Sequence, residues 1–89
     1  MYQREVVLYT NGRSLHSWRA KRLLRRSGYH FEVLDTRGQP EMLTELIKAV
    51  HHEVVLPYVC IDHRPLGGFG VLSALSSSGG LAHLLRDNL

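Results

Sequence analysis

Two serines, Ser14 and Ser17, stand three positions apart where a short apolar strand (Val6 to Tyr9) gives way to a basic helix. The first N–H groups of a helix have no partner within it, and its aligned peptide dipoles leave partial positive charge there. That place favours an anion, so a cysteine would be drawn toward its nucleophilic thiolate. Both positions hold hydroxyls instead. A serine hydroxyl has no disulfide chemistry, and as a nucleophile it needs an adjacent base. His16 lies between the two serines, but no G-x-S-x-G elbow frames Ser14. The plain structural use of Ser14 is as a helix N-cap, worth about 1 kcal/mol.

The elements that must position this pair follow from periodicity and punctuation. Glu5 to Tyr9 is the first strand, and Asn11-Gly12 marks a turn. A helix from about Ser14 to Ser27 places Leu15, Trp18, Leu23 and Leu24 on or near one side, and Gly28 supplies its stop. His30 to Asp35 alternates as a second strand. Pro40 suits a first helical turn, and Met42, Leu43, Leu46, Ile47 and Val50 recur at helical spacing, giving a second helix over Glu41 to about Val50. Tyr58 to Ile61 is a third strand. Asp62 to Pro65 turns the chain into a short fourth strand ending at Gly67. Phe69 to Leu75 and Leu81 to Arg86 read as two closing helices separated by the Ser/Gly cluster from Ser76 to Gly80. The first strand-helix-strand unit implies parallel pairing, and the last two strands imply an antiparallel hairpin.

Composition narrows the class of protein. At 89 residues, 44% of them hydrophobic, the sequence suits one small globular domain spanning 1–89. A single cysteine, Cys60, excludes a disulfide-stapled secreted scaffold. Arg4 and Glu5 interrupt any signal-like apolar run, and no segment reaches the length of a membrane span, so the expected compartment is the cytoplasm. The net charge of +3 is unevenly spread: Arg13, Arg19, Lys21, Arg22, Arg25 and Arg26 share one segment without an acid. Such a face attracts anionic partners. With Trp18 as its one aromatic, it lacks the basic-aromatic alternation of a nucleic-acid surface.

The element order, the pair opening the first helix and the lone proline before the third strand resemble the thioredoxin fold. The expected class is α/β, with a four-stranded mixed sheet flanked by helices. In detail the chain resembles the glutaredoxin family over nearly its whole length. Val7-Leu8-Tyr9-Thr10 matches that family's first strand, and Arg19-Ala20-Lys21-Arg22-Leu23-Leu24 matches the helix after its C-P-Y-C. Val55-Leu56-Pro57 falls where the family has T-V-P, with Pro57 in the place of its cis-proline. Ile61-Asp62 followed by Gly67-Gly68-Phe69 matches its I-D-G-x-x-I-G-G-F segment.

The resemblance implies glutathione-dependent thiol–disulfide exchange, with Ser14 at the place of the attacking cysteine and Ser17 at that of the resolving one. With serine at both, the chain as written should not turn over disulfides, and the thiolate ligand some relatives use for an iron–sulfur cluster is gone. Natural divergence and deliberate Cys-to-Ser exchange both give such a pair. The implied ligand is glutathione, as co-substrate rather than resident cofactor, or a glutathionylated or disulfide-bearing protein. Asn11 stands where the family has a lysine that pairs with a carboxylate of the tripeptide, and Arg13 is the nearby cation that would take over. His16 replaces the tyrosine of C-P-Y-C. Val55 replaces the threonine before V-P, while the backbone of Leu56 still offers strand-like hydrogen bonds. After Gly67, Gly68 and Phe69 the family's acidic pair becomes Gly70-Val71, which removes a carboxylate but leaves N–H groups at a Gly-rich helix start.

Two functions follow from this pattern: a glutaredoxin-like protein without its thiols, or a non-redox module binding a peptide or glutathione-like anion. Cys60, in an apolar strand, reads as a buried small hydrophobe. His51, His52 and His63 lack the spacing of a metal site and read as loop residues, so no metal is expected.

Overall fold

Val6–Thr10 forms β1, whose burial on both faces makes it the centre of the sheet. A computed structural model describes residues 4–12 and 14–85. The order is β1, α1 (Leu15–Arg26), β2 (Glu32–Asp35), α2 (Pro40–Val50), β3 (Tyr58–Ile61), β4 (Arg64–Gly68), α3 (Phe69–Ser78) and α4 (Gly80–Leu85). The four strands lie in the order β2-β1-β3-β4. β1 is parallel to β2 and antiparallel to β3, and β4 is antiparallel to β3. This is the mixed sheet the sequence implies.

Several boundaries shift for physical reasons. Asp62 and His63 take left-handed backbone (φ 51° and 65°), closing a two-residue hairpin. Arg64 and Pro65 therefore already belong to β4, and Pro65 is tolerated there because β4 is an edge strand. A bulge between Val59 and Cys60 leaves Leu66 without a cross-strand partner. The Ser/Gly cluster does not separate the closing helices as a whole. Ser76, Ser77 and Ser78 continue α3, and left-handed Gly79 (φ 81°) makes the break. The second strand is shorter than the span from His30, and Arg86 lies outside the described residues.

Two apolar clusters occupy opposite faces of the sheet. Val6, Leu8, Val59 and Ile61 pack with Ala20 and Leu24 of α1, Leu72 of α3, and Leu81 and Leu85 of α4. The other face carries the smaller group Leu46, Tyr58 and Cys60 beneath α2. In α1 the buried stripe is Ser17, Ala20 and Leu24, at the spacing of one helical face. Leu15 and Trp18 therefore point outward, 60% and 54% exposed, so of the four apolar residues placed on or near one side of the helix only Leu23 and Leu24 pack on the core.

The end of the sheet away from α1's start is held by polar contacts. Arg4 donates to Asp62 at 2.8 Å, and the Glu5 N–H donates to the other Asp62 oxygen at 2.9 Å. The Arg4 guanidinium, then the Glu5 N–H, hold the Asp62 carboxyl below its usual range. A depressed folded pKa adds stability above the unfolded value of about 3.9 and loses it as pH falls through the folded one. The urea midpoint should thus fall on acidification below about pH 4, and Asp62→Asn should flatten that fall. Equal pH slopes in the two proteins would dismiss the role of this pair.

Candidate functional site

Three chain segments meet at one end of the sheet. Ser14 follows the C-terminal end of β1. Pro57 precedes Tyr58, which pairs with Tyr9, so the proline sits across the ladder from that same end. Gly68 pairs with Tyr58 and delivers the start of α3 beside them. A Cβ built on Gly68 would lie 3.5 Å from the Pro57 carbonyl oxygen, so the two segments touch through backbone. The Leu56–Pro57 bond is cis.

Ser14 is the N-cap of α1, with extended backbone (φ −76°, ψ 154°). Its Oγ accepts the Ser17 N–H at 3.0 Å and donates to Ser17 Oγ at 2.8 Å. Ser17 is fully buried, whereas Ser14 keeps access to solvent. The first turn of α1 holds no acid, so nothing offsets the positive field at its start. Ser14→Ala should cost about 1 kcal/mol of stability in urea unfolding, with Ser14→Asp retaining the cap. A neutral Ser14→Ala would mean that the cap contributes nothing.

The remaining expected residues surround this pair unevenly. The His16 ring packs against Phe69 with centroids 5.4 Å apart, joining the starts of α1 and α3. The sequence offered no signal for that contact between distant residues. Val55 is 80% exposed in the irregular segment before Pro57, with Leu56 half-buried. Gly67 (φ 150°) is buried, and a Cβ there would meet Val71 at 2.8 Å, so only glycine fits. Gly70 is exposed in the first turn of α3. Asn11 is exposed in the turn after β1, and Arg13 lies outside the described residues.

Arg37 belongs to the site's surroundings although no motif in the sequence marks it. Its guanidinium packs against Gly12 (φ 107°), where a Cβ would come within 2.6 Å, and it binds Asp35 through Nη2 at 2.7 Å. Thr36 donates from its N–H and hydroxyl to the Thr10 carbonyl, at 2.7 and 2.9 Å. The loop after β2 thereby braces the turn leading into α1.

The one sulfur lies elsewhere. Cys60 is buried in the cluster beneath α2, on the face opposite α1, and burial pushes its thiol pKa up. His51 ends α2 in left-handed conformation (φ 62°), and His63 belongs to the β3–β4 turn. No three His, Cys, Asp or Glu side chains gather as a metal set among the described residues. Nor is any helix there long and apolar enough to cross a membrane.

No family model matches the chain. A glutaredoxin of Pseudomonas aeruginosa is 36% identical over 80 residues, spanning 90% of this chain and 94% of that protein. The solution structure of a Brucella melitensis glutaredoxin matches with a TM-score of 0.80 at 30% identity, over 97% of this chain and 92% of that one. A buckwheat glutaredoxin solved in complex with glutathione matches with a TM-score of 0.81 at 16% identity, over 92% and 76% of the two chains. At that identity the likeness concerns the fold alone.

Proposed function

The chain belongs to the glutaredoxin family and has its thioredoxin-like fold, and from that premise we propose that it keeps the family's glutathione-recognition frame while performing no thiol–disulfide exchange. The observation that carries this reading is the pair of serines at the start of α1, with Ser14 spending its own proton on Ser17. The family reaction needs a thiolate that can attack a sulfur and later leave again. Neither hydroxyl can do so. Cys60, buried on the other face with its thiolate disfavoured, does not replace them.

The recognition frame consists of Ser14, Ser17 and His16 from α1, Val55, Leu56 and Pro57 from the loop before β3, and Gly67, Gly68, Phe69 and Gly70 from the β4–α3 junction. Asn11 flanks it. The exposed run at Val55 suits an extended peptide, and the N–H groups at the Gly-rich start of α3 suit a carboxylate. Membership of the glutaredoxin family, at 36% identity over most of the chain, supports a ligand of this kind. A cytoplasmic location accords with this chemistry.

Glutathione-coupled reduction of a small mixed disulfide tests the reading. The chain as written should add no rate above free glutathione, and a turnover abolished by Cys60→Ser would overturn it. The same exposed loop favours a second reading, a non-redox module for a peptide or glutathione-like anion. Calorimetry with reduced glutathione and glutathione disulfide tests this: measurable heat favours a retained glutathione pocket, and none leaves a different peptide or anion as the ligand.

A further inference from the structure

We infer that the groove between α1 and α3 docks an acidic protein segment carrying an apolar anchor, beside the candidate site, with which it shares Phe69. The groove has a volume of about 670 Å³. Leu23 and Phe69 give it an apolar floor, while Trp18, Arg19, Arg22 and Arg26 line it from α1. None of these arginines, nor Arg25, takes part in an ion pair among the described residues, and α1 contains no acid.

Placement separates docking charge from charge with a structural use. Arg25 and Arg26 lie in the last turn of α1, where cations complement the helix dipole, and Arg26 in addition lines the groove. Arg19 and Arg22 lie further back and have no such use. The Arg22 guanidinium sits 5.3 Å from the centroid of the Trp18 ring, giving a flat cationic-aromatic platform. Trp18 is 54% exposed, and an indole left open beside unpaired guanidinium groups has the composition of an interface anchor.

Charge and shape together choose the occupant. Arg19, Arg22 and Arg26 extend along about 10 Å of helix, a length matched by about four residues of extended peptide. Carboxylates along such a segment would meet the guanidinium groups in forked hydrogen bonds. One apolar side chain would enter the floor between Leu23 and Phe69. A phosphodiester backbone has nothing to place on that floor, and a single aromatic offers no run of stacking platforms. Phe69 also touches His16, so a docked segment would lie against the start of α1.

The test uses a fluorescein-labelled peptide of aspartate and glutamate around a single phenylalanine, read by fluorescence anisotropy with the full chain. Saturable binding is expected. Arg19→Glu combined with Arg22→Glu should weaken it at least about tenfold. Trp18→Ala, or serine for the phenylalanine of the probe, should each weaken it several-fold. If the double charge reversal unfolds the chain, Arg19→Gln with Arg22→Gln reads the same loss. Absence of binding, affinity indifferent to all these changes, or equal or tighter binding of a single-stranded oligothymidylate would overturn the inference. Calorimetry with glutathione on the same variants reports the candidate site separately.

Discussion

Replacing Ser14 by cysteine should convert a chain without exchange activity into one that reacts with glutathione mixed disulfides. The helix start is already arranged for the anion: the Ser17 N–H points at the side-chain position at 3.0 Å, and the first turn carries no acid. Cysteines at such places have pKa values well below the ordinary 8.5, so about ten times more thiolate is present near pH 7 than for an unperturbed thiol. The thiolate would attack the glutathionyl sulfur, forming a new disulfide and expelling the partner's thiolate. A second glutathione, as its thiolate, would then release the bound glutathionyl group as glutathione disulfide, so that the mixed disulfide and one glutathione thiol become the partner's thiol and glutathione disulfide. Ser17→Cys alone should show little of this, because position 17 is fully buried. If Ser14→Cys reacts no faster than Cys60, the helix start has lost its activating role.

Leu24→Ala should produce the largest loss of stability of any alanine substitution in α1. Leu24 is fully buried between α1 and the sheet, in the same cluster as Leu8, Val59, Leu72 and Leu85. Truncating such a leucine removes its transfer energy and leaves a cavity, typically costing 2–5 kcal/mol. A domain of this size has roughly 5–10 kcal/mol in total, so the thermal midpoint should fall by more than about 10 °C. Leu15→Ala, at the residue immediately after the capping serine and 60% exposed, should change stability by less than about 0.5 kcal/mol. Similar costs at the two positions would mean that the buried stripe of α1 has been misassigned. Circular dichroism during thermal unfolding distinguishes these outcomes.

The sheet was legible in the sequence because its signals are local. Alternation in the strands, Pro40 at a helix start and a lone proline before β3 each act through backbone geometry that the sequence carries directly. The inward face of α1 was not legible. Leu15 and Trp18 are the apolar residues a helical pattern selects, yet Ser17 and Ala20 are buried beside Leu24. Close approach of α1 to the sheet rewards small side chains, and hydrophobicity alone does not report closeness. The end of α3 was misjudged for a related reason: serines favour caps and turns, but three of them continue a helix whose apolar face is already anchored by Leu72.

The candidate site was readable as segments but not as contacts. Ser14, Pro57 and Gly67-Gly68 could be named from spacing and family likeness. The packing of His16 on Phe69 and of Arg37 on Gly12 depends on tertiary proximity, which no spacing encodes. The groove between α1 and α3 is of the same kind: its arginines are visible in the sequence, whereas its floor exists only once the two helices are side by side.

Amide chemical-shift mapping of the unaltered chain, titrated with reduced glutathione, probes most directly whether a recognition frame persists where the sulfur has gone. Saturable shifts should gather at the N–H groups of residues 14–18, at Tyr58 and at residues 67–70. A chain whose amides stay still at millimolar glutathione, or shift only beneath α2 around Cys60, would contradict the account.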